Sequence, residues 1–208
     1  MTAAARRGAP IHGVSFAVPA GAVSAIVGRE GSGKRTVAGC IVGEIRPETG
    51  RVLVLGMDAR RERRAVRRRV RWGEKEGEIR VDTEPGTVLL LTDDPRRASG
   101  VLGTNPSARV GFLVEGRLVV EDALAALLSR FRRIRYVNEI TESRTDYGNE
   151  LDLFDAVRVK VRGWGVDAVV SNYGEAAFER FRATEGVRDA RADPLTLEEI
   201  SATVAGTQ

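Results

Sequence analysis

Apolar and polar residues alternate over residues 14–18 (VSFAV), and Pro19-Ala20-Gly21 then interrupts the pattern. Residues 22–27 (AVSAIV) follow as a short apolar run, which predicts a buried strand. A glycine-rich turn, GREGSGKRT, comes immediately after it. Over residues 36–45 the spacing of Val37, Cys40, Ile41 and Ile45 predicts a helix with one buried stripe. Residues 46–50 (RPETG) form a turn by composition, and residues 51–56 (RVLVLG) predict a further strand.

Glu84-Pro85-Gly86 precedes a second buried strand at residues 88–91, which ends in Thr92-Asp93-Asp94-Pro95. Residues 96–108 contain Gly, Ser, Asn and Pro and predict a loop. ARVGFLVEGRLVV (108–120) predicts a pair of strands turning at Glu115-Gly116, and residues 122–128 a short amphipathic helix. Beyond residue 130 the pattern becomes strand-rich, through FRRIRYVNEI, AVRVKVRGWG and VDAVVSN. A helix in EAAFERFRA and a strand in VRDARAD follow, and Thr196 with Glu199 three residues later predicts a capped final helix. This change of pattern divides the chain into a core of residues 1–129 and a smaller domain of residues 130–208. The fold class expected is α/β for the first and α+β for the second.

Composition narrows the class further. With 42% hydrophobic and 30% charged residues in 208, the chain can bury a core, and wholesale disorder is excluded. No apolar run approaches the roughly 20 residues of a membrane helix. The N-terminal residues lack the apolar stretch of a signal peptide. Cys40 is the sole cysteine, so no internal disulfide forms and a reducing, cytoplasmic setting is expected. Its place on the apolar stripe marks it as core. The net charge of +4 is local, because residues 60–71 hold eight arginines and one glutamate. Only Trp72 lies near that run, so it reads as a solvated helix rather than a nucleic-acid surface. His12 is the only histidine, which argues against Ser-His-Asp and Cys-His catalysis. Asp146, Glu150, Asp152 and Asp155 read as a solvated acidic loop, and Trp164 as packing.

The strand–GREGSGK–helix order is the context of a phosphate-binding loop. Small residues are needed there because successive backbone N–H groups must converge on phosphate oxygens. Gly28, Arg29, Gly31, Ser32, Gly33, Lys34, Arg35 and Thr36 are the candidate binding residues, with Lys34 reaching the β- and γ-phosphates and Thr36 assisting. The position after Lys34 is where a hydroxyl would hold Mg²⁺, and here it is Arg35, with Thr36 one place later. A guanidinium can neutralise phosphate but cannot ligate a metal.

These motifs resemble the ATP-binding subunit of ABC transporters, through IHGVSFAVPAGAVSAIVGREGSGKRT and RPETGRVLVLGMD. RVGFLVEGRLVVEDALAALL is similar to the strand pair and helix that end that family's core. The C-terminal part resembles the accessory domain of ABC-2-type exporter ATPases. The resemblance implies a P-loop NTPase core that binds ATP at Gly28–Thr36. It implies a metal-facing Asp93 and a water-polarising Asp94, matching a Walker B pair whose second member is normally glutamate. It also implies dimerisation, a membrane subunit or complete ATPase partner, and a cytoplasmic site at the inner face of the membrane.

Several family parts have no counterpart. Only residues 37–92 separate the phosphate loop from Asp93, too few for the family's helical subdomain, and no LSGGQ-like signature occurs. VRRRVRWGEKEG is similar to the approach to the glutamine loop, with Glu74 or Lys75 where glutamine is expected. The switch histidine is missing, and Ala5 stands about where an aromatic residue would stack adenine. The expected activity is therefore nucleotide binding with weak or no hydrolysis. The alternatives are a non-catalytic interaction protein on the same scaffold and, behind it, an arginine-driven nucleic-acid binder.

Overall fold

The computed structural model describes residues 1–3, 9–75, 77–103, 105–138, 151–163 and 165–206. They form two compact units, Met1–Leu124 and Ala125–Gln208.

In the first unit, β1 (Val23–Val27) leads into α1 (Lys34–Ile41). β2 (Leu53–Val54), β3 (Met57–Asp58) and α2 (Arg63–Arg69) come next. Then follow β4 (Val70–Gly73), β5 (Glu78–Val81), β6 (Thr87–Thr92), α3 (Pro95–Leu102), β7 (Arg109–Val114) and β8 (Arg117–Ala123). Six strands make one sheet in the order β4-β5-β6-β1-β7-β8. β1 runs parallel to both neighbours, while β4-β5-β6 and β7-β8 are antiparallel. The unit is thus α/β with a mixed sheet, and its apolar strands β1 and β6 are central, as burial of both faces requires. Val37, Ala38 and Ile41 of α1 pack in one cluster with Ile26, Leu89 and Leu91. α3 lies against β1 and β6, with Ala98 and Leu102 buried outside that cluster. Cys40 is core, and burial pushes its thiol up to about 11.

Three expectations for this unit change, and a hairpin forms where the pattern gave no expectation. Residues 14–18 follow their alternation in burial but join no sheet; Val14 instead exchanges hydrogen bonds with Met1 through its N–H and C=O. The strand expected at residues 51–56 shortens to Leu53–Val54, because Leu55 (φ 52°) and Gly56 (φ 79°) turn the chain left-handed into β3. The stretch after the arginines is a hairpin, β4 and β5, with Trp72 opposite Ile79. Residues 96–102, expected as loop, are helical. Asp94 caps α3, Pro95 opens it, and Ala98 and Leu102 fall one turn apart on the buried side.

Among the described residues, α2 is the one helix between α1 and β6. Only its Val66 is buried. Its arginines face solvent, with Arg67 paired to Glu44 and Arg69 to Asp82.

The second unit begins at Ala125, within α4 (Leu124–Arg130). It holds β9 (Arg132–Asn138), a 3₁₀ turn at Asp152–Phe154, β10 (Ala156–Arg162) and β11 (Gly165–Val170). α5 (Glu175–Arg182), β12 (Val187–Pro194) and α6 (Leu197–Val204) complete it. Its antiparallel sheet runs β10-β11-β9-β12. The unit begins earlier than residue 130 because the end of α4 is tied into it: the Arg130 carbonyl accepts from the Tyr173 N–H, and the Arg130 guanidinium donates to the Ser171 carbonyl. Phe181 of α5 anchors the core, meeting Tyr136 and Phe154 edge-on with centroids at 5.0 and 5.8 Å. α6 begins with the expected capping box between Thr196 and Glu199. Asp146, Glu150 and Trp164 lie outside the described residues.

Phe181→Ala removes the buried ring on which both edge contacts converge. It should lower stability by about 3–5 kcal/mol, read by urea denaturation.

Candidate functional site

The C-terminal ends of three parallel strands meet at one edge of the first sheet. Val27 of β1 stands opposite Thr92 of β6 on one side and Phe112 of β7 on the other. In an open α/β sheet this edge is where ligands bind. The loop after β1 begins in register with both neighbours, and the Gly28 N–H donates to the Thr92 carbonyl at 3.0 Å. Gly28 admits no side chain, because a Cβ there would lie 2.4 Å from the Leu113 carbonyl and 2.5 Å from Ser32 Oγ.

Gly33 begins α1 at φ 104°, a left-handed conformation that costs a glycine little. No side chain caps the helix there and no acidic residue lies in its first turn. The first-turn N–H groups, which a helix cannot use itself, therefore remain as donors for an anion. Ser32 is buried within the loop and its hydroxyl makes no hydrogen bond. An orphaned hydroxyl at this position is a donor without an acceptor.

Lys34 Nζ donates to the Gly28 carbonyl at 2.5 Å and to the Arg29 carbonyl at 2.8 Å. Burial lowers its pKa, while the charges of Asp93 and Glu30 act in the opposite sense. Loop, lysine and Asp93 are thus gathered at one strand edge. Arg29 and Gly31 are exposed on the same loop.

The other candidates are placed differently. Arg35 is exposed and pairs with Glu74 at 3.0 Å, which brings the β4–β5 turn to the start of α1. Thr36 is fully buried, and its hydroxyl donates to the Ala9 carbonyl at 2.7 Å, so it fastens the N-terminal segment to α1. Asp94 uses its carboxylate as the N-cap of α3, accepting from the Arg96 N–H at 2.8 Å. His12 is exposed, and its backbone N–H donates to the Gly116 carbonyl in the β7–β8 turn. Ala5 lies outside the described residues. The Arg35–Glu74 pair had no local signal in the sequence; only the β4–β5 hairpin creates it.

Residues 11–88 match the family model described as ABC transporter. Over that stretch the chain is similar to ABC transporter ATP-binding proteins. The hemin import ATP-binding protein HmuV of Rhizobium meliloti (strain 1021) is 46% identical over 48 residues, 23% of this chain and 18% of that protein. The beta-(1→2)glucan export ATP-binding/permease protein NdvA of Mesorhizobium japonicum is 45% identical over 56 residues, 27% of this chain and 10% of that protein. The chain therefore spans less than a fifth of the length of either relative. The family's domains bind ATP, usually with Mg²⁺.

The residues fit the two ligands unequally. A polyphosphate finds a bare helix start, an orphaned serine hydroxyl and an ammonium. Magnesium finds Arg35 where a hydroxyl is needed and Thr36 turned toward Ala9. The Asp94 carboxylate is already capping α3, which leaves Asp93 and Glu30 as the acidic groups whose charges reach Lys34.

Capping separates two roles for Asp94. Asp94→Ala should cost about 1 kcal/mol by chemical denaturation, whereas Asp94→Asn, which keeps a capping oxygen, should cost little.

Proposed function

We propose that this chain binds ATP through Gly28, Arg29, Gly31, Ser32, Gly33 and Lys34 and hydrolyses it weakly or not at all. Its role is that of the ATP-binding subunit of an ABC-type exporter. The uncapped start of α1, with the unpartnered Ser32 hydroxyl inside the loop, carries this reading. Lys34 would leave the carbonyls of Gly28 and Arg29 for the β- and γ-phosphates, a stronger charge-assisted partner than a neutral carbonyl. Binding and orientation of the phosphates are the chemistry these residues can supply. Weak hydrolysis follows from Asp94: its carboxylate caps α3, and an aspartate has less reach than the glutamate the family normally carries.

The proposed setting, which the family resemblance implies, is cytoplasmic and peripheral at the inner face of the membrane; no described helix is long and apolar enough to cross one. The proposed partners are a membrane subunit and a second ATP-binding chain, which would supply the signature sequence this one lacks. The commitment of Asp94 to α3 also favours a second reading: a non-catalytic interaction protein that keeps the scaffold.

Titration of ATP into the full chain separates the two. Lys34→Ala should weaken ATP binding at least about tenfold, the loss of one charge-assisted contact. An unchanged affinity would leave the interaction protein as the better account. Lys34 also fixes the pH response, because it is an ammonium below its pKa and neutral above it. With that pKa lowered, affinity should begin to fall with rising pH sooner than for an ordinary lysine. Lys34→Arg should flatten the profile.

A further inference from the structure

We infer that the phosphate loop takes its polyphosphate free of metal, with the Arg35 guanidinium standing in the metal's place after exchanging Glu74 for a phosphate oxygen. The inference rests on the phosphate-loop reading above and concerns the form of the ligand.

A metal bound between the phosphates does two things: it neutralises charge and holds the oxygens in place. This loop lacks the donors for the metal but has groups for both tasks. Arg29, Lys34 and Arg35 place three cationic side chains within and beside one turn of backbone donors. Arg35 directly follows Lys34 on the first turn of α1, and its planar fork suits two oxygens of one phosphate. The Thr36 hydroxyl, one place beyond the usual metal-holding position, is not free for a metal, since it donates to the Ala9 carbonyl from a fully buried position. Asp93 and Glu30 act electrostatically on the Lys34 ammonium, so their charge lies against a cation already present.

The ion pair of Arg35 with Glu74 shapes this exchange. Both side chains are exposed, at 73% and 61%, so the pair contributes little to stability and breaks at small cost. A polyphosphate offers the guanidinium more negative charge than the single carboxylate of Glu74, with oxygens that likewise suit its planar fork. Glu74 is then a competing anion on the β4–β5 turn: it holds Arg35 until a polyphosphate takes over. The occupant is therefore uncomplexed ATP or another polyphosphate anion, rather than its magnesium complex.

The test is calorimetric titration of ATP, and separately of inorganic tripolyphosphate, into the full chain in buffer containing EDTA or excess magnesium chloride. The expected result is a Kd in EDTA equal to or lower than that in magnesium. Arg35→Ala should raise the EDTA value about tenfold. Arg35→Ser, which restores a hydroxyl beside Lys34, should make binding tighter with magnesium than without. Glu74→Gln should tighten metal-free binding about two- to fivefold by removing the competing charge. Both positions are exposed, and thermal melts of the variants should match the parent chain. Binding that is at least about tenfold tighter with magnesium, or that ignores Arg35→Ala, overturns the inference and leaves phosphate binding standing. Failure of both ligands to bind in either buffer overturns the phosphate-loop reading itself, and this inference with it.

Discussion

The register of β1 between β6 and β7 is the constraint on which the rest of the first unit depends. Because the three strands run parallel and end together, the chain leaving Val27 must turn at once, and it does so against the carbonyls of Thr92 and Leu113. That close approach forbids a side chain at Gly28 and lets the loop arch from the sheet edge to α1. A shift of either neighbour by one residue would send each of its side chains to the opposite face of the sheet and lose the apolar cluster beneath α1. Core packing and phosphate geometry are therefore set by one arrangement of hydrogen bonds.

Electrostatics divides the loop into an inner and an outer part. Inside, Lys34 is half-buried, bonded to loop carbonyls and faced by Asp93, so its charge is preformed at the strand edge. Outside, Arg35 and Glu74 form a solvated pair that adds little to stability but sets where a guanidinium waits. The contrast follows from helix geometry: successive residues at the start of a helix point about 100° apart, so only one of the two basic side chains can turn inward. The same geometry sends Thr36 into the core, where its hydroxyl fastens residue 9 rather than serving the loop.

The second unit is held by different means. Its antiparallel sheet buries aromatic side chains beneath α5, with Phe181 meeting Tyr136 and Phe154, and a capping box closes the start of α6. Among its described residues, α5 also starts at a glycine without a side-chain cap, but Glu175 in its first turn puts a negative charge where α1 has none. Chemistry in this chain is concentrated where glycine, lysine and a parallel strand edge coincide.

Much of this was legible in the amino-acid pattern. The buried strands at 23–27 and 87–92, the hairpin at Glu115-Gly116, α1, α5 and the Thr196 cap are local features, in which neighbouring residues dictate hydrogen bonding and burial. The glycine-rich turn between β1 and α1 was legible for the same reason, since strand, glycines, lysine and helix are contiguous. What lay between such signals was not. α3 was hidden behind loop-forming residues, although Asp94-Pro95 is a helix start, because composition outweighed the cap. The β4–β5 hairpin was masked by arginines that sit at solvent-facing positions. The alternation at 14–18 could not reveal that its backbone bonds to Met1, because a strand exists only when a partner pairs with it. Above all, the fates of Arg35, Thr36 and Asp94 depended on groups distant in the chain or on a helix the pattern concealed. Residue type alone determined a glycine-rich turn with a lysine between a strand and a helix, the arrangement on which the proposed phosphate site rests. Only the packing of Glu74, Ala9 and α3 decided which side chains remain to serve it, because a hydrogen-bonding group committed to one partner is withdrawn from another.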